Sequence, residues 1–197
     1  IMVGNREFKC WDKHGMVNLN SAVGHSCDVF FYQLGLMLGP RALSEYALKF
    51  GLGRVCNIDI EREAAGFVPT VNWKLWQRKE SWFRGDTANF AIGQGALLAT
   101  PLQMARLISL FANGGYLVKP YLVESIGNNS RIENRPSIKT GIKDGDLQIL
   151  KQGLIGAVKD LEGTAHILAL PDLAVAGKTG TAQVSRGLPH GWFIGFA

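Results

Sequence analysis

Paired cysteines are missing from this chain. Among its 197 residues only Cys10, Cys27 and Cys56 are cysteines, and no two of them stand in Cys-x-x-Cys spacing. An odd, unspaced set argues against a disulfide framework but does not decide the compartment. Stability must come from an apolar core, which a chain of this length can bury as one domain. Also missing is any apolar run of roughly eighteen residues, and any charged start followed by an apolar signal core. Either the protein is cytosolic or its targeting segment lies outside these residues. Blocks of like charge are absent too. The net charge is +5, yet Lys9, Lys13, Arg41, Lys49, Arg54, Arg78, Lys151 and Lys159 are scattered. This describes a mildly basic, solvated surface and gives no support for a nucleic-acid tail. There are no internal repeats and no low-complexity tracts.

What is present includes a stretch that imitates a nucleotide site. Gly177-Lys178-Thr179 ends as a phosphate-binding loop ends, but the position that must hold glycine holds Asp172, preceded by Pro171. Such a loop must also open a helix. Here Lys178 is followed by Thr-Gly-Thr-Ala-Gln-Val, whose β-branched content predicts an extended strand.

The rest reads as mixed α and β. Residues 27–38 are apolar almost all round and predict a buried helix. Pro40 opens a second helix that Gly51 closes, with an apolar stripe of Leu43, Tyr46, Ala47 and Phe50. Thr100 caps a third helix with Pro101 in its first turn, and Asn113-Gly114-Gly115 ends it. Residues 115–126 are β-rich, with Pro120 forcing an edge position or a break. A polar stretch follows from Gly127 to Gly145, then a fourth helix over 146–161. After it come a turn at Gly163-Thr164-Ala165, the Lys178 strand, a tight connection through Gly187 and Pro189, and a last strand. The segment from Ala64 to Phe90 reads as a long packed surface loop anchored by Trp73, Trp76 and Trp82. Basic residues interleave with these tryptophans, a pattern that stacks nucleic-acid bases elsewhere, but no nucleic-acid signature accompanies it. The chain stops inside the apolar run "GWFIGFA". Domains rarely end in mid-strand, so an internal piece of a larger domain is expected.

Two short motifs carry chemistry. One is Ser26-Cys27-Asp28, and the other is Lys178-Thr179-Gly180-Thr181-Ala182. In this order and separation they resemble the second and third motifs of the serine acyl-transferases that react with penicillin, S-x-x-K, S-D-N and K-T-G. The segment "GDTANFAIGQGALLATPLQMARLISLFANGG" looks like the stretch between those motifs in class B penicillin-binding proteins. "VNLNSAVGHSCDVFFYQLG", "GTAH", "AGKTGTAQV" and "HGWFIGFA" resemble the elongation-type branch, penicillin-binding protein 2, which carries Asp where relatives carry Asn, as Asp28 does. The likeness runs nearly end to end. One motif departs from it: no serine in the chain has lysine three residues on. The simplest account is that the nucleophile motif precedes Ile1; a rarer one is a protein that has lost it.

The resemblance implies an α/β (α+β) fold of the penicillin-binding-protein and serine β-lactamase type, with a five-stranded antiparallel sheet flanked by helices and a helical subdomain. Residues 1–197 would hold the helical part and two sheet strands. It implies a peptidoglycan D,D-transpeptidase that cross-links stem peptides and is a target of β-lactam antibiotics. The expected location is the periplasmic face of the bacterial inner membrane, through an anchor outside this chain. The expected partners are a RodA-type glycosyltransferase and elongation-complex proteins, with no nucleic acid. Lys178 would meet the substrate carboxylate with its charge, and Thr179 and Thr181 with hydroxyls. Gly180 would let the substrate backbone lie close as an added strand, and the Thr181 N–H would be half of an oxyanion hole. Ser26 would relay a proton and Asp28 orient a substrate amide or the absent lysine. Alternatively, Ser26 or Asp28 caps the helix that follows, and both roles are compatible. Acyl transfer needs no cofactor. The branch also implies a structural zinc in some members, with Cys10 as one ligand and the others upstream; Cys10 alone is no metal site. Cys56 reads as a small core residue, and Cys27 as a neighbour of the active site. His14, His25, His166 and His190 show no metal spacing. A penicillin sensor or inactive scaffold of the same fold fits these residues equally well.

Overall fold

Three short strand pairs and six α-helices make up a computed structural model that describes residues 1–123, 125, 127, 137–184 and 186–197, counted among those residues. A small hairpin, β1 (Met2–Val3) with β2 (Arg6–Glu7), leads into α1 (Leu19–Gly24) and α2 (Asp28–Lys49). Then come α3 (Val71–Gln77), α4 (Arg84–Ala91) and α5 (Pro101–Ala112). A second antiparallel pair joins β3 (Tyr116–Val118) to β4 (Ser137–Lys139). The long helix α6 (Asp144–Lys159) precedes a 3-10 turn at His166–Leu168. The chain closes with β5 (Ala176–Ala182) antiparallel to β6 (His190–Phe196), in a register that sets Lys178 opposite Ile194 and Gly180 opposite Trp192.

Local sequence accounts for several boundaries. Thr100 Oγ1 accepts a hydrogen bond from the Gln103 N–H at 3.2 Å, and Gln103 Oε1 accepts one from the Thr100 N–H at 2.9 Å, a reciprocal cap with Pro101 at the first position. Gly39 takes φ 80°, breaks α2, and lets Pro40 restart it.

Three expectations change. The helix over 27–38 is not buried all round: Met37 is 84% and Leu38 52% exposed, and Tyr32 and Gly35 form its inward stripe. The stretch 64–90 is not one loop but contains α3 and α4. The α3 helix is capped by Thr70. At the start of α4, Asp86 accepts from the Phe83 N–H at 2.7 Å and from Lys74 Nζ at 2.6 Å. No Ser, Thr or Asn marks that start, so a capping scan misses it. Trp82 does anchor the segment, donating from Nε1 to Thr87 Oγ1 at 2.8 Å, and Trp73 packs on Phe67, but Trp76 is 68% exposed. Finally, β4 forms within the stretch that composition marks only as polar; residues 128–136 of that stretch lie outside the described residues.

The site depends on one packing arrangement. Val23 of α1, Ile108 of α5, Leu154 of α6 and Ala176 of β5 form a single buried cluster, joined by Ile194 and Phe196 of β6. Burying the valine, leucine, isoleucine and phenylalanine side chains of this cluster contributes about 1.5–3 kcal/mol each. The α1 and α6 helices cross closely because Gly153 faces Val23: a Cβ there would lie 2.8 Å from the Val23 Cβ. This contact fixes the end of α1, and with it the turn that carries Ser26, against the layer that holds β5.

Candidate active site

Ser26 sits between α1 and α2 with φ 55°, a left-handed conformation that costs a serine about 1–2 kcal/mol. The turn is held on both sides. The Cys27 N–H donates to the Ala22 carbonyl at 2.9 Å, and Trp11 Nε1 donates to the carbonyls of His25 and Ser26 at 3.2 and 3.1 Å. As a result the hydroxyl turns away from the helix. Lys178 Nζ, 152 residues along the chain, donates to Ser26 Oγ at 2.7 Å. The capping alternative therefore fails. Cys27 occupies the cap position of α2 with no side-chain hydrogen bond, and Asp28 is already the first helical residue.

Lys178 also donates to the Thr179 carbonyl at 3.0 Å. An ammonium has three N–H groups, and the third has no acceptor among the described residues. Burial pushes the Lys178 ammonium down to about 8, and the nearby Asp28 carboxylate partly opposes this. Burial likewise raises Asp28 above the ordinary carboxylate range, against the lowering pull of Lys178. The two groups thus form a half-buried pair on one wall of a cleft of about 980 Å³. That is the upper end for a ligand pocket.

The same cleft is lined by Thr179, Gly180, Thr181 and Gln94. Thr179 Oγ1 donates to Thr164 Oγ1 at 2.8 Å. Thr164 in turn bonds the Gly24 carbonyl from its backbone N–H at 3.3 Å, which ties β5 to the end of α1. A Cβ on Gly180 would meet only Trp192 Cβ, at an ordinary 3.6 Å. Nothing inside the protein demands glycine there, so any demand comes from what enters the cleft. The structure thus brings together Ser26, Asp28, Lys178, Thr179, Gly180 and Thr181. Thr164, Trp11 and Gln94 were given no role from sequence: Thr164 lies in the quoted "GTAH" and Gln94 in the quoted "GDTANFAIGQG" stretch, but none of the three gives a local signal of its long-range bond.

Cys10 stands beside this site rather than in isolation. The Asp28 N–H donates to its sulfur at 3.2 Å, and His14 Nδ1 lies 3.5 Å from it. Ligand atoms of Cys10, His14 and Cys27 all lie within 4.8 Å of one another. This corrects the view that no histidine stands at metal spacing. The segment between Cys10 and His14 is irregular, so neither a helix nor a finger pattern reveals the approach. Cys27 is buried in this group, and Cys56 is a core residue at 1% exposure.

The chain matches the family model "Penicillin binding protein transpeptidase domain" over residues 1–197. It is 33% identical to the peptidoglycan D,D-transpeptidase MrdA of Acinetobacter baumannii over 98% of its length, and 35% identical to that of Escherichia coli K12 over 91%. It covers 32% and 29% of those two proteins, about a third of their length. The solved penicillin-binding protein PBP2 of Helicobacter pylori superposes with a TM-score of 0.88 at 35% identity, covering 100% of this chain and 37% of that one. The same protein in complex with MreC superposes equally well, with a TM-score of 0.88. A family model matched from end to end and relatives a third identical along nearly the whole chain agree with the convergence of the two motifs on one cleft: the chain belongs to the penicillin-binding-protein transpeptidase domain family.

Proposed function

We propose that these residues form the carboxylate-binding half of a peptidoglycan D,D-transpeptidase site, within a longer protein whose remaining sequence supplies the nucleophilic Ser-x-x-Lys. The observation that carries this reading is the 2.7 Å bond from Lys178 to Ser26 in a cleft that also holds Asp28 and the Thr179–Thr181 edge. In the reaction a serine attacks the carbonyl between two terminal D-alanines. The terminal D-alanine leaves as an amine, and a second stem peptide's amine later takes the acyl group. The remaining N–H of Lys178 and the Thr181 hydroxyl donate to the substrate carboxylate, and the Thr179 hydroxyl, which donates to Thr164 Oγ1 here, turns to the carboxylate when substrate binds. The lysine of the Ser-x-x-Lys motif takes the proton of the attacking serine, and Ser26, which can donate and accept at once, passes a proton on to the leaving amine, while Lys178 keeps its charge beside Ser26 Oγ. The Thr181 N–H stabilises the oxyanion; one such donor is worth about 10²–10³ in rate.

The same reading makes β-lactams ligands of the site. It puts the intact protein at the periplasmic face of the inner membrane, beside a RodA-type glycosyltransferase and elongation proteins of the MreC kind. Among the described residues no helix is long and apolar enough to cross a membrane, so the anchor in this reading belongs to another part of the protein. The full-length protein should take up a fluorescent penicillin in a stable, stoichiometric adduct and release D-alanine from a stem-peptide substrate. The 197-residue chain alone should form no adduct. Failure of the full-length protein on both counts would leave a binding scaffold, and an adduct on the isolated chain would overturn the incomplete-site reading.

A structural zinc is part of this proposal. Two thiols and an imidazole within 4.8 Å are a donor set that suits zinc. Cys10, His14 and Cys27 would hold it, and the metal would brace the turn before Asp28 without entering the acyl transfer. Metal analysis of the full-length protein should find zinc that is lost, along with several degrees of melting temperature, in Cys10→Ser. Absence of zinc from the wild type would exclude it.

A further inference from the structure

The edge of β5 that faces the cleft is already partly used. Thr179 and Thr181 are alternate residues of one strand, so their carbonyls point to the same side. The Thr179 carbonyl accepts from Lys178 Nζ at 3.0 Å, and the Thr181 carbonyl accepts from Gln94 Nε2 at 2.7 Å. Gln94 lies 87 residues away in sequence, just beyond the end of α4. Its carrier loop is built for this reach. Gly93 and Gly95 on either side take φ 77° and 83°, conformations that other residues adopt only under strain. A Cβ on Gly93 would meet nothing within 4 Å, so backbone conformation rather than space requires glycine there. The Gln94 N–H is anchored on the Asn89 carbonyl at 2.9 Å, at the end of α4.

A carbonyl can only accept, so the nitrogen of the Gln94 amide must face Thr181. Its oxygen, Oε1, then has no protein donor among the described residues, and Gln94 lines the main cleft. A substrate adding to this edge would find one lone pair of the Thr181 carbonyl taken and an unpaired amide oxygen beside it.

We propose that Gln94 is a further substrate-binding residue, whose Oε1 receives a secondary amide N–H of the substrate on the acyl side of the reacting carbonyl. The inference rests on the transpeptidase reading and adds to it a ligand group and the residue that meets it. Lys178 holds the carboxylate at one end, and Gln94 holds the peptide amide at the other. The pairing selects acylated peptides over bare amines, because only the amide places an N–H donor of fixed direction at that point.

The test compares two penicillins on the full-length protein: one with an acylamide side chain, and the unacylated penicillin nucleus, which carries a primary amine instead. Gln94→Ala should slow acylation by the acylated compound about tenfold, the loss expected for a well-placed hydrogen bond, and leave the bare nucleus within about twofold. Gln94→Met, which keeps the length of the side chain and removes its polar atoms, should behave the same; it is the variant to read if the alanine protein melts early. Equal slowing of both compounds, or no slowing of either, would overturn the role. So would faster acylation of the acylated compound, which would make Gln94 a plug in front of the strand. If the wild type reacts with neither penicillin, the transpeptidase reading itself has failed, a result separate from any contrast between variants.

Discussion

Ser26→Asp is expected to abolish peptide cross-linking while the protein stays folded. Ser26 Oγ accepts from Lys178 Nζ at 2.7 Å, so a carboxylate at that position pairs with the ammonium directly. That pair consumes the charge meant for the substrate carboxylate and removes the hydroxyl that both donates and accepts. Ser26→Ala should lower turnover about 10²–10⁴-fold, the worth of a positioned proton transfer. Neither change should melt the protein, because Ser26 caps nothing: Cys27 holds the cap position of α2. Ser26→Gly sharpens the contrast. At φ 55° glycine is free of the left-handed strain that serine bears, so melting temperature should hold or rise while turnover falls as in the alanine variant. Thermal melting, penicillin acylation and D-alanine release on the full-length variants check this. A Ser26→Asp protein with normal rates would end the relay role.

Lys178→Ala should slow acylation by at least about tenfold, since a charge-assisted hydrogen bond is worth roughly 1.5–3 kcal/mol. Lys178→Arg should also be impaired, because a planar fork does not replace a compact ammonium between Ser26 Oγ and the Thr179 carbonyl. The pH profile is a second readout. Burial brings Lys178 down to about 8, so its charge, and with it carboxylate capture, fades as pH rises through that value. Unfolding cannot mimic this decline. The unfolded lysine, at the ordinary 10.5, holds its proton longer than the folded one. Between about 8 and 10.5 this group therefore makes the fold more stable as pH rises. Activity and the Lys178 contribution to stability should move in opposite directions. Asp28→Asn removes the attraction that raises Lys178, so the alkaline limb should shift toward lower pH. Unchanged rates in both Lys178 variants, or a limb that Asp28→Asn leaves in place, would remove this pair from the mechanism.

Much of this was legible in sequence. The Thr100-Pro101 start, the Pro40 restart and the extended Lys178 strand follow from groups a few residues apart, and they appear where local chemistry puts them. The helix α4 was not legible, because Lys74 and Asp86, twelve residues apart, meet only when α3 packs beside it. The exposed face at Met37 and Leu38 was misread for a related reason: apolar composition reports what a helix can bury, not what the fold brings to cover it.

The sequence by itself determined the residue types and the order of the two motifs, and through them the family. Only the tertiary structure decided what those residues do to one another. Ser26 is a plausible cap until α1 and α6 lock together at Gly153 and present its turn to β5. Lys178 is an ordinary lysine until burial lowers it to about 8. Gln94 is one polar residue among many until its amide reaches Thr181. The physical reason is the same in each case. Propensity and capping act between neighbours in the chain, whereas hydrogen-bond partners and burial of a charge are set by groups that only folding brings within 3 Å of each other at the site.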